Sequence, residues 1–186
     1  MYVCNCNGLR QRDVAFAIEA MKGDPAIIRT LNAVLTNELT AVNQYFLHAR
    51  MFESWGLKHL GQIIYDESIG EMKHADMLIK RVLFLDGLPN MQDLHKLKIG
   101  ETAFECLGAD LALELGGRDT LIAGVAQCEA AKDYVSRDLL MRILNDTEEH
   151  IDFLEAQTRL IEQLGEQNYL QSAMTEIAPD RSATGN

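Results

Sequence analysis

Apolar residues recur every three or four positions along most of this chain, which is the spacing of an amphipathic α-helix. The first such stretch opens with Asp24 and Pro25, a typical helix start, and Gly56 follows its last turn. The second stretch covers residues 58–85 and ends before the turn-forming Gly87. The pattern therefore predicts two long helices joined by a short turn.

Two further long helices are predicted in the second half of the chain. The third begins at a capping box, Thr102 to Glu105, and the fourth covers residues 133–164. A glycine pair at residues 116–117 favours a break, because each glycine costs a helix about 1 kcal/mol. The spacing repeat described below favours continuation, so we expect the third helix to reach Ala131. A short fifth helix is predicted over residues 167–174.

The connection between the second and third helices, residues 88–100, has no strong periodicity. Fully extended, it would cover roughly 43 Å, and the first predicted helix would be roughly 46 Å long. The connection can therefore run almost the whole length of a bundle, which makes the second and third helices parallel. The pattern predicts an all-α four-helix bundle with one long crossover and a short fifth C-terminal helix.

Composition narrows the possible functions. The 186 residues are 47% hydrophobic and 6% aromatic, with only three prolines, which favours one helical domain. The net charge of −11 argues against a nucleic-acid partner and against a basic membrane-binding helix. The sequence contains neither an apolar run of about 18 residues nor the apolar core of a secretory signal. Four cysteines in a chain of this length do not form a disulfide framework, so we expect a cytoplasmic protein.

Acidic and histidine side chains recur at a fixed spacing in the first half of the chain. Glu71 and His74 are three residues apart, so they lie on one face of the second helix. Glu38 precedes Glu71 by 33 residues. Carboxylates and an imidazole that face a bundle interior together are typical ligands of a transition metal.

The second half repeats this arrangement almost completely. Glu114 precedes Thr147 by 33 residues, and His150 follows Thr147 by three. In ferritin-like di-iron proteins, two helices provide one Glu each and the other two provide Glu-x-x-His. Five of those six ligands are present here, and Thr147 is at the sixth position. Because burying several carboxylates without cations is very costly, a purely structural explanation of the whole set is poor.

Several segments of the chain are similar to those of bacterioferritins. They are MKGD (residues 21–24), NQYFLHAR (43–50), EMKHAD (71–76), DYVSRD (133–138) and NYLQ (168–171). The resemblance runs from about Met21 to Met174. It implies a ferritin-like bundle over residues 24–175, between an N-terminal extension of residues 1–23 and a C-terminal tail of residues 176–186.

The resemblance also implies a di-iron centre and a ferroxidase activity. Glu38 and His74 would bind one iron, Glu114 and His150 would bind the other, and Glu71 would bridge the two. The implied reaction is the oxidation of paired Fe(II) by dioxygen or peroxide, followed by storage of a ferric mineral.

Thr147 is at the position where the resemblance implies a second bridging Glu, and three hypotheses remain open. Thr147 or a water takes the sixth position, which gives a slower site. Alternatively, Asp146, four residues before His150, reaches into the site. In the third hypothesis the subunit is impaired as a ferroxidase, and it serves as a haem-bearing structural subunit of a mixed bacterioferritin shell.

Met72 is the candidate ligand of a second cofactor. It follows Glu71 directly, so it points about 100° away around the helix and faces outward. The resemblance implies that Met72 is the axial ligand of a haem b shared by two subunits across a two-fold axis. It further implies a hollow 24-subunit shell, a homo-oligomer or one mixed with a second bacterioferritin subunit, and a small iron–sulfur ferredoxin as reductant.

Other side chains have less specific predictions. Tyr45, seven residues after Glu38, is either a core aromatic with a satisfied hydroxyl group or a partner of the metal ligands. Three histidines without a partner at ligand spacing are expected to be surface residues or satisfied core residues: His48, His59 and His95.

The first residues have a resemblance of their own. YVCNCNG, residues 2–8, is similar to the start of bacterioferritin-associated ferredoxin. An iron–sulfur cluster needs four ligands, whereas Cys4 and Cys6 are joined only by Cys106 and Cys128, both inside predicted helices. We therefore expect a vestigial fusion, or a true start at Met21. An amphipathic helix is predicted over residues 10–21.

Overall fold

The computed structural model describes residues 23–174, and this part of the chain is built from α-helices. They are α1 (Pro25–Ser54), α2 (Lys58–Phe84), α3 (Ala103–Ala130), α4 (Tyr134–Leu164) and the short α5 (Glu166–Ala173). The predicted all-α bundle with a fifth C-terminal helix is confirmed. The predictions for Cys4, Cys6, the N-terminal helix and the C-terminal tail lie outside the described residues. No helix in residues 23–174 combines the length and the apolar character needed to cross a membrane.

The helices pack in the order expected for one long crossover. Short turns make α2 antiparallel to α1 and α4 antiparallel to α3. Two side-chain contacts, Gln44 with Asp110 and Thr30 with Gln127, show that α3 is also antiparallel to α1. Since α2 and α3 both run opposite to α1, they are parallel to each other, as the length of the connection predicted.

Local capping fixes where the long helices begin. The Asp24 carboxylate accepts a hydrogen bond from the Ala26 amide at 2.7 Å, with Pro25 as the first helical residue. The Thr102 hydroxyl accepts from the Glu105 amide at 3.2 Å. The Glu105 carboxylate accepts from the Glu101 amide, so only half of the predicted capping box forms.

The glycine pair does not interrupt α3. The helix passes through Gly116 and Gly117 and continues to Ala130, as the spacing repeat predicted. The helical turns on either side of the glycines are anchored by two buried side chains. Glu114 lies in the polar layer and Leu121 in the apolar core. Tertiary packing therefore outweighs the low helix propensity of glycine here.

The crossover lies against a row of polar side chains on α1. These side chains are spaced so that they lie on one face of the helix, and each accepts a hydrogen bond from a crossover amide. The bonds are Asn90 to Asn32 (2.9 Å), His95 to Thr40 (3.0 Å), Lys98 to Gln44 (2.9 Å) and Gly100 to His48 (3.3 Å). The irregular connection is therefore fixed along most of the length of α1.

The last bond in this row belongs to a buried polar network. His48 and Asp110 both have an exposed fraction of 0%. The Gly100 amide donates to Nε2 of His48, so Nδ1 carries the proton and donates to Asp110 at 2.8 Å. Gln44 donates a second bond to Asp110 at 2.8 Å. His48 is thus a satisfied core histidine.

The other two histidines that are not at ligand spacing, His59 and His95, also agree with their prediction. His59 is exposed on α2. His95 is an exposed crossover residue, and its ring nitrogen Nε2 lies 2.9 Å from Oδ1 of Asn37.

The bundle interior consists of two apolar clusters separated by a polar layer. One cluster includes Leu31, Leu78, Leu121 and Leu140. The other includes Phe52, Ile64, Leu107 and Leu154. The polar layer between them contains the acidic and histidine residues that the sequence singled out.

Candidate metal centre

Four helices deliver the five predicted ligands to one place in the polar layer. α1 carries Glu38, α2 carries Glu71 and His74, α3 carries Glu114, and α4 carries His150. Each of these residues has an exposed fraction of at most 7%. The repeated 33-residue spacing places each at a similar height in the bundle, which brings all five together.

The five side chains form two groups of three that share one member. In each group, one ligand atom from every residue lies within 4.8 Å of the others; the groups are Glu38, Glu71 and His74, and Glu71, Glu114 and His150. Glu71 belongs to both groups. The arrangement therefore has the geometry of two neighbouring cation positions joined by one carboxylate.

His74 is held on both sides of its ring. Nδ1 lies 3.1 Å from Oε2 of Glu38 and 3.0 Å from Oε2 of Glu71. Nε2 lies 3.0 Å from Oδ2 of Asp146. The inner nitrogen therefore faces the carboxylates, and the outer nitrogen is fixed in the way typical of metal-binding histidines. Asp146 contacts the outer nitrogen, so its carboxylate is not inside the cluster.

His150 is held differently. Its Nδ1 lies 2.8 Å from Oε1 of Glu114, but its buried Nε2 has no hydrogen-bond partner among the described residues. The ring is positioned by aromatic contacts instead, edge-on to Tyr45 at 5.3 Å and stacked on Phe153 at 6.3 Å. The second half of the centre therefore lacks the outer hydrogen bond that fixes His74.

Tyr45 is a core aromatic with a satisfied hydroxyl group, and its partner is Glu114. It is fully buried in the core, and its hydroxyl donates a 2.6 Å hydrogen bond to Oε1 of Glu114. Burial, followed by the negative charge of Glu114, raises the pKa of Tyr45 well above its ordinary value. The tyrosine is therefore a neutral donor that fixes one oxygen of Glu114.

Thr147 occupies the sixth position as a small neutral side chain. Its exposed fraction is 5%, and it lines a small cavity against the carboxylates of both groups. The cavity is lined by Asn37, Glu38, Ala41, Tyr45, Glu71, Leu113, Glu114, Gly117 and Thr147. The Asn37 amide nitrogen is buried with no partner among the described residues, so the cavity wall has a spare hydrogen-bond donor.

Glu67 is a nearby carboxylate that the sequence analysis did not select. Its Oε2 lies 4.0 Å from Nδ1 of His150, and its side chain is 39% exposed. It precedes Glu71 by four residues, so helical spacing alone could have placed it on the same face.

The electrostatics show carboxylates that are costly to ionise without a cation. Burial, followed by the charge of Glu38, raises the pKa of Glu71 to about 8, and burial also raises that of Glu114. Burial opposes the charge on His74, but hydrogen bonds to Glu38 and Glu71 raise its pKa to about 11. Protons therefore occupy this cluster when cations do not.

In the metal-free protein we expect the free energy of unfolding to fall as the pH rises from about 5 to about 9. Folded Glu71 keeps its proton up to a pH of about 8, whereas the unfolded chain loses it near 4.5. Folded His74 keeps its proton to about 11, against 6.5 when unfolded. Both contributions are fully present below the unfolded pKa and are lost as the pH rises through the folded pKa. The slope is on the order of 1 kcal/mol per pH unit for each group.

Urea unfolding of the metal-free protein across this pH series measures the effect. Glu71→Gln should make the profile less steep between about pH 5 and 8, because the amide does not titrate whereas His74 still does. The exposed Glu155→Gln on α4 is the matched control and should keep the wild-type profile. Stability that rises with pH in the wild type would contradict the interpretation.

Met72 lies outside this cluster, as predicted. Its side chain is 52% exposed on α2. Tyr65 and Ile69 precede it by seven and three residues on the same face, and the ring of the half-exposed Phe46 lies 6.1 Å from that of Tyr65. Met72 therefore lies on a partly exposed face with Phe46, Tyr65 and Ile69, and the Arg50 guanidinium lies over the rings of Phe46 and Tyr65 at 5.4 and 4.6 Å.

Comparisons with known proteins agree with this geometry. A family model of the ferritin-like domain matches residues 28–164. A bacterioferritin of Mycobacterium leprae is 48% identical over 80% of this chain and 94% of its own length. A bacterioferritin of Streptomyces coelicolor is 44% identical over 89% of this chain and 99% of its own length. A bacterial ferritin of Synechocystis is 46% identical over 83% of this chain and 100% of its own length.

Proposed function

Because the chain belongs to the bacterioferritin family of ferritin-like iron-storage proteins, we propose that it oxidises Fe(II) at the buried cluster and stores the ferric product inside a hollow shell. The observation that carries this proposal is the pair of three-residue groups sharing Glu71. A reaction that transfers two electrons needs two metal ions side by side, and the shared carboxylate supports that arrangement.

The iron ions are the substrate of this reaction. Two Fe(II) ions lose one electron each, and dioxygen takes up both electrons with two protons and leaves as hydrogen peroxide. If hydrogen peroxide is the oxidant, it takes up two electrons and two protons and leaves as two waters. Hard carboxylate oxygens with imidazole nitrogens suit iron in both oxidation states.

The residues present fit this substrate. Glu38 and His74 would hold one iron, Glu114 and His150 the other, and Glu71 would contribute to both. Both histidines direct Nδ1 at carboxylates, so the donor atoms already converge. Iron binding has to displace the protons held by Glu71 and His74, which makes iron affinity rise with pH. Tyr45 keeps Glu114 oriented through its 2.6 Å hydrogen bond.

We also propose that Met72 holds a haem b between two subunits. This partly exposed face, with the rings of Phe46 and Tyr65, would lie against a flat apolar group, and the thioether sulfur of Met72 would bind its iron. An isologous dimer would bring the same methionine from both chains to the two-fold axis. When bound, the haem supplies a redox centre between the shell interior and its surface.

Family membership supports a proposal for the assembly. We propose a 24-subunit homo-oligomeric shell built from such dimers, with a small iron–sulfur ferredoxin as the reductant. A cytoplasmic location is consistent with the two described cysteines, Cys106 and Cys128, which are buried free thiols.

A second candidate function is that of a haem-bearing structural subunit with impaired oxidation, in a shell mixed with a second bacterioferritin subunit. Two observations favour it: Thr147 provides no charge at the sixth position, and Nε2 of His150 has no partner in the described part of the chain. Purification of the shell from its native source distinguishes the two. A shell that contains this chain alone would exclude the mixed assembly.

Stopped-flow mixing of Fe(II) and oxygen with the homomeric protein tests the proposed activity. Glu38→Ala removes one ligand, so we expect oxidation of the first two iron ions per subunit to slow about 100-fold or more. Glu155→Ala, exposed on α4, is the control and should behave as the wild type. Equal rates in the wild type and Glu38→Ala would refute oxidation at this cluster.

A further inference from the structure

The two positions of the candidate centre hold three carboxylates between them. Glu38 and the shared Glu71 face the first position, Glu114 and Glu71 face the second, and the neutral Thr147 adds no charge. Three carboxylates leave one unit of positive charge when two Fe(II) ions bind. In a buried layer, one uncompensated charge is costly.

We propose that Glu67 supplies the missing carboxylate by binding the metal ion beside His150. This inference depends on the proposed two-iron site. It assigns to this chain a sixth ligand that comes from α2, one turn before Glu71, and not from α4, where Thr147 lies. α2 would then contribute three ligands, and the site would again hold four carboxylates.

The distance between donor atoms supports this assignment. Carboxylate oxygens and imidazole nitrogens bind first-row metals at about 2.0–2.2 Å, so two donors on one metal lie at most about 4.4 Å apart. Oε2 of Glu67 is 4.0 Å from Nδ1 of His150. Nδ1 is also the nitrogen that faces Glu114, at 2.8 Å. A metal held by Nδ1 and Glu114 would therefore lie within reach of Glu67.

Three other carboxylates near the centre have partners of their own. Asp146 lies against the outer nitrogen of His74 at 3.0 Å. Glu148, next to Thr147, pairs with Arg118 at 2.8 Å. Asp110 is bound to His48 and Gln44 in the buried network. Glu67 lies within 4.0 Å of Nδ1 of His150. Among the described residues, no other carboxylate outside the two groups does so.

Glu67 differs from the other ligands in its freedom to move. Its side chain is 39% exposed, whereas that of Glu71 is 7% exposed. A small rotation about its side-chain bonds would bring its carboxylate onto the metal. The second metal should therefore exchange with solvent faster than the first.

Equilibrium binding of Co(II) to the whole metal-free protein tests the proposal without relying on oxidation. Visible absorption and elemental analysis should show two Co(II) ions per wild-type subunit. Glu67→Gln should lower the affinity for the second ion by about 10–100-fold and leave the affinity for the first unchanged. Glu155→Gln, with the same change of charge at an exposed α4 position, should match the wild type.

A rescue variant separates a ligand role from general damage. Thr147→Glu restores a carboxylate on α4, so the double variant Glu67→Gln/Thr147→Glu should regain tight binding of the second ion. Failure of this rescue in a folded shell overturns the assignment. Two tightly bound ions in Glu67→Gln also overturn it but leave the two-iron site intact. A wild type that binds fewer than two ions overturns both.

Discussion

The Glu71→Gln variant should lose both metal ions, not one, because Glu71 is the member common to both groups. Removing a buried negative charge about 4 Å from a cation costs roughly 4 kcal/mol, which corresponds to about 10³-fold in affinity. Oxidation of the first two Fe(II) ions per subunit should fall by a similar factor. Co(II) titration and stopped-flow oxidation measure the two effects.

The same substitution should raise the stability of the metal-free protein. Burial and the charge of Glu38 raise the pKa of Glu71 to about 8, so its ionised form is destabilising at high pH. The neutral amide avoids that cost, and the melting temperature of the metal-free variant at pH 8 should exceed that of the wild type. Loss of both metal binding and stability would indicate a packing defect, which the exposed Glu155→Gln control would not show.

Asp110→Ala, outside the metal cluster, should strongly destabilise the fold. It leaves the Nδ1 proton of His48 and the Gln44 amide without an acceptor in a region with no solvent exposure. Leaving two buried donors unpaired costs about 1–3 kcal/mol each, which lowers the melting temperature by roughly 10 °C in a chain of this size. The loss should be present with and without metal.

Thermal unfolding followed by circular dichroism measures this effect. Asp119→Ala, on the exposed face of the same helix, is the matched control and should change the melting temperature by no more than a degree or two. A small effect of Asp110→Ala would mean that water or a neighbouring group can replace the lost acceptor. The network would then not hold the end of the crossover in place.

The sequence predicts most of the helical architecture because helix starts and stops are local signals. Asp24 with Pro25, and Gly165, mark boundaries of helices that the structure confirms. The ends of α1 and α2 differ from prediction by about one or two residues, as is usual for helix termini. Continuation through Gly116 did not follow from propensity; it followed from a repeat that spans both halves of the chain.

The candidate site is less completely predictable, since spacing gives the face of a helix but not the direction of each side chain. The spacing brings Glu38, Glu71 and Glu114 together, and their role as ligands stays a prediction. It does not distinguish an inward Asp146 from one that holds the outer nitrogen of His74. It also does not show that Glu67 turns toward His150, because this depends on packing between α2 and α4.

The buried network of His48 and Asp110 illustrates a second limit. The two residues are far apart in sequence, and neither lies at ligand spacing. Their pairing depends on the crossover returning past α1, so no local pattern reports it. The hydrogen-bond partners of a single polar residue in a helix depend on the distant segment that packs against it.

The row of bonds between the crossover and α1 constrains how the length of this chain can vary. Four crossover amides between Asn90 and Gly100 each meet a fixed acceptor on a rigid helix. Inserting or deleting one residue within that span would move the following donors out of register with their acceptors. Changes in length should therefore be selected against in the long connection, although that connection has no regular secondary structure.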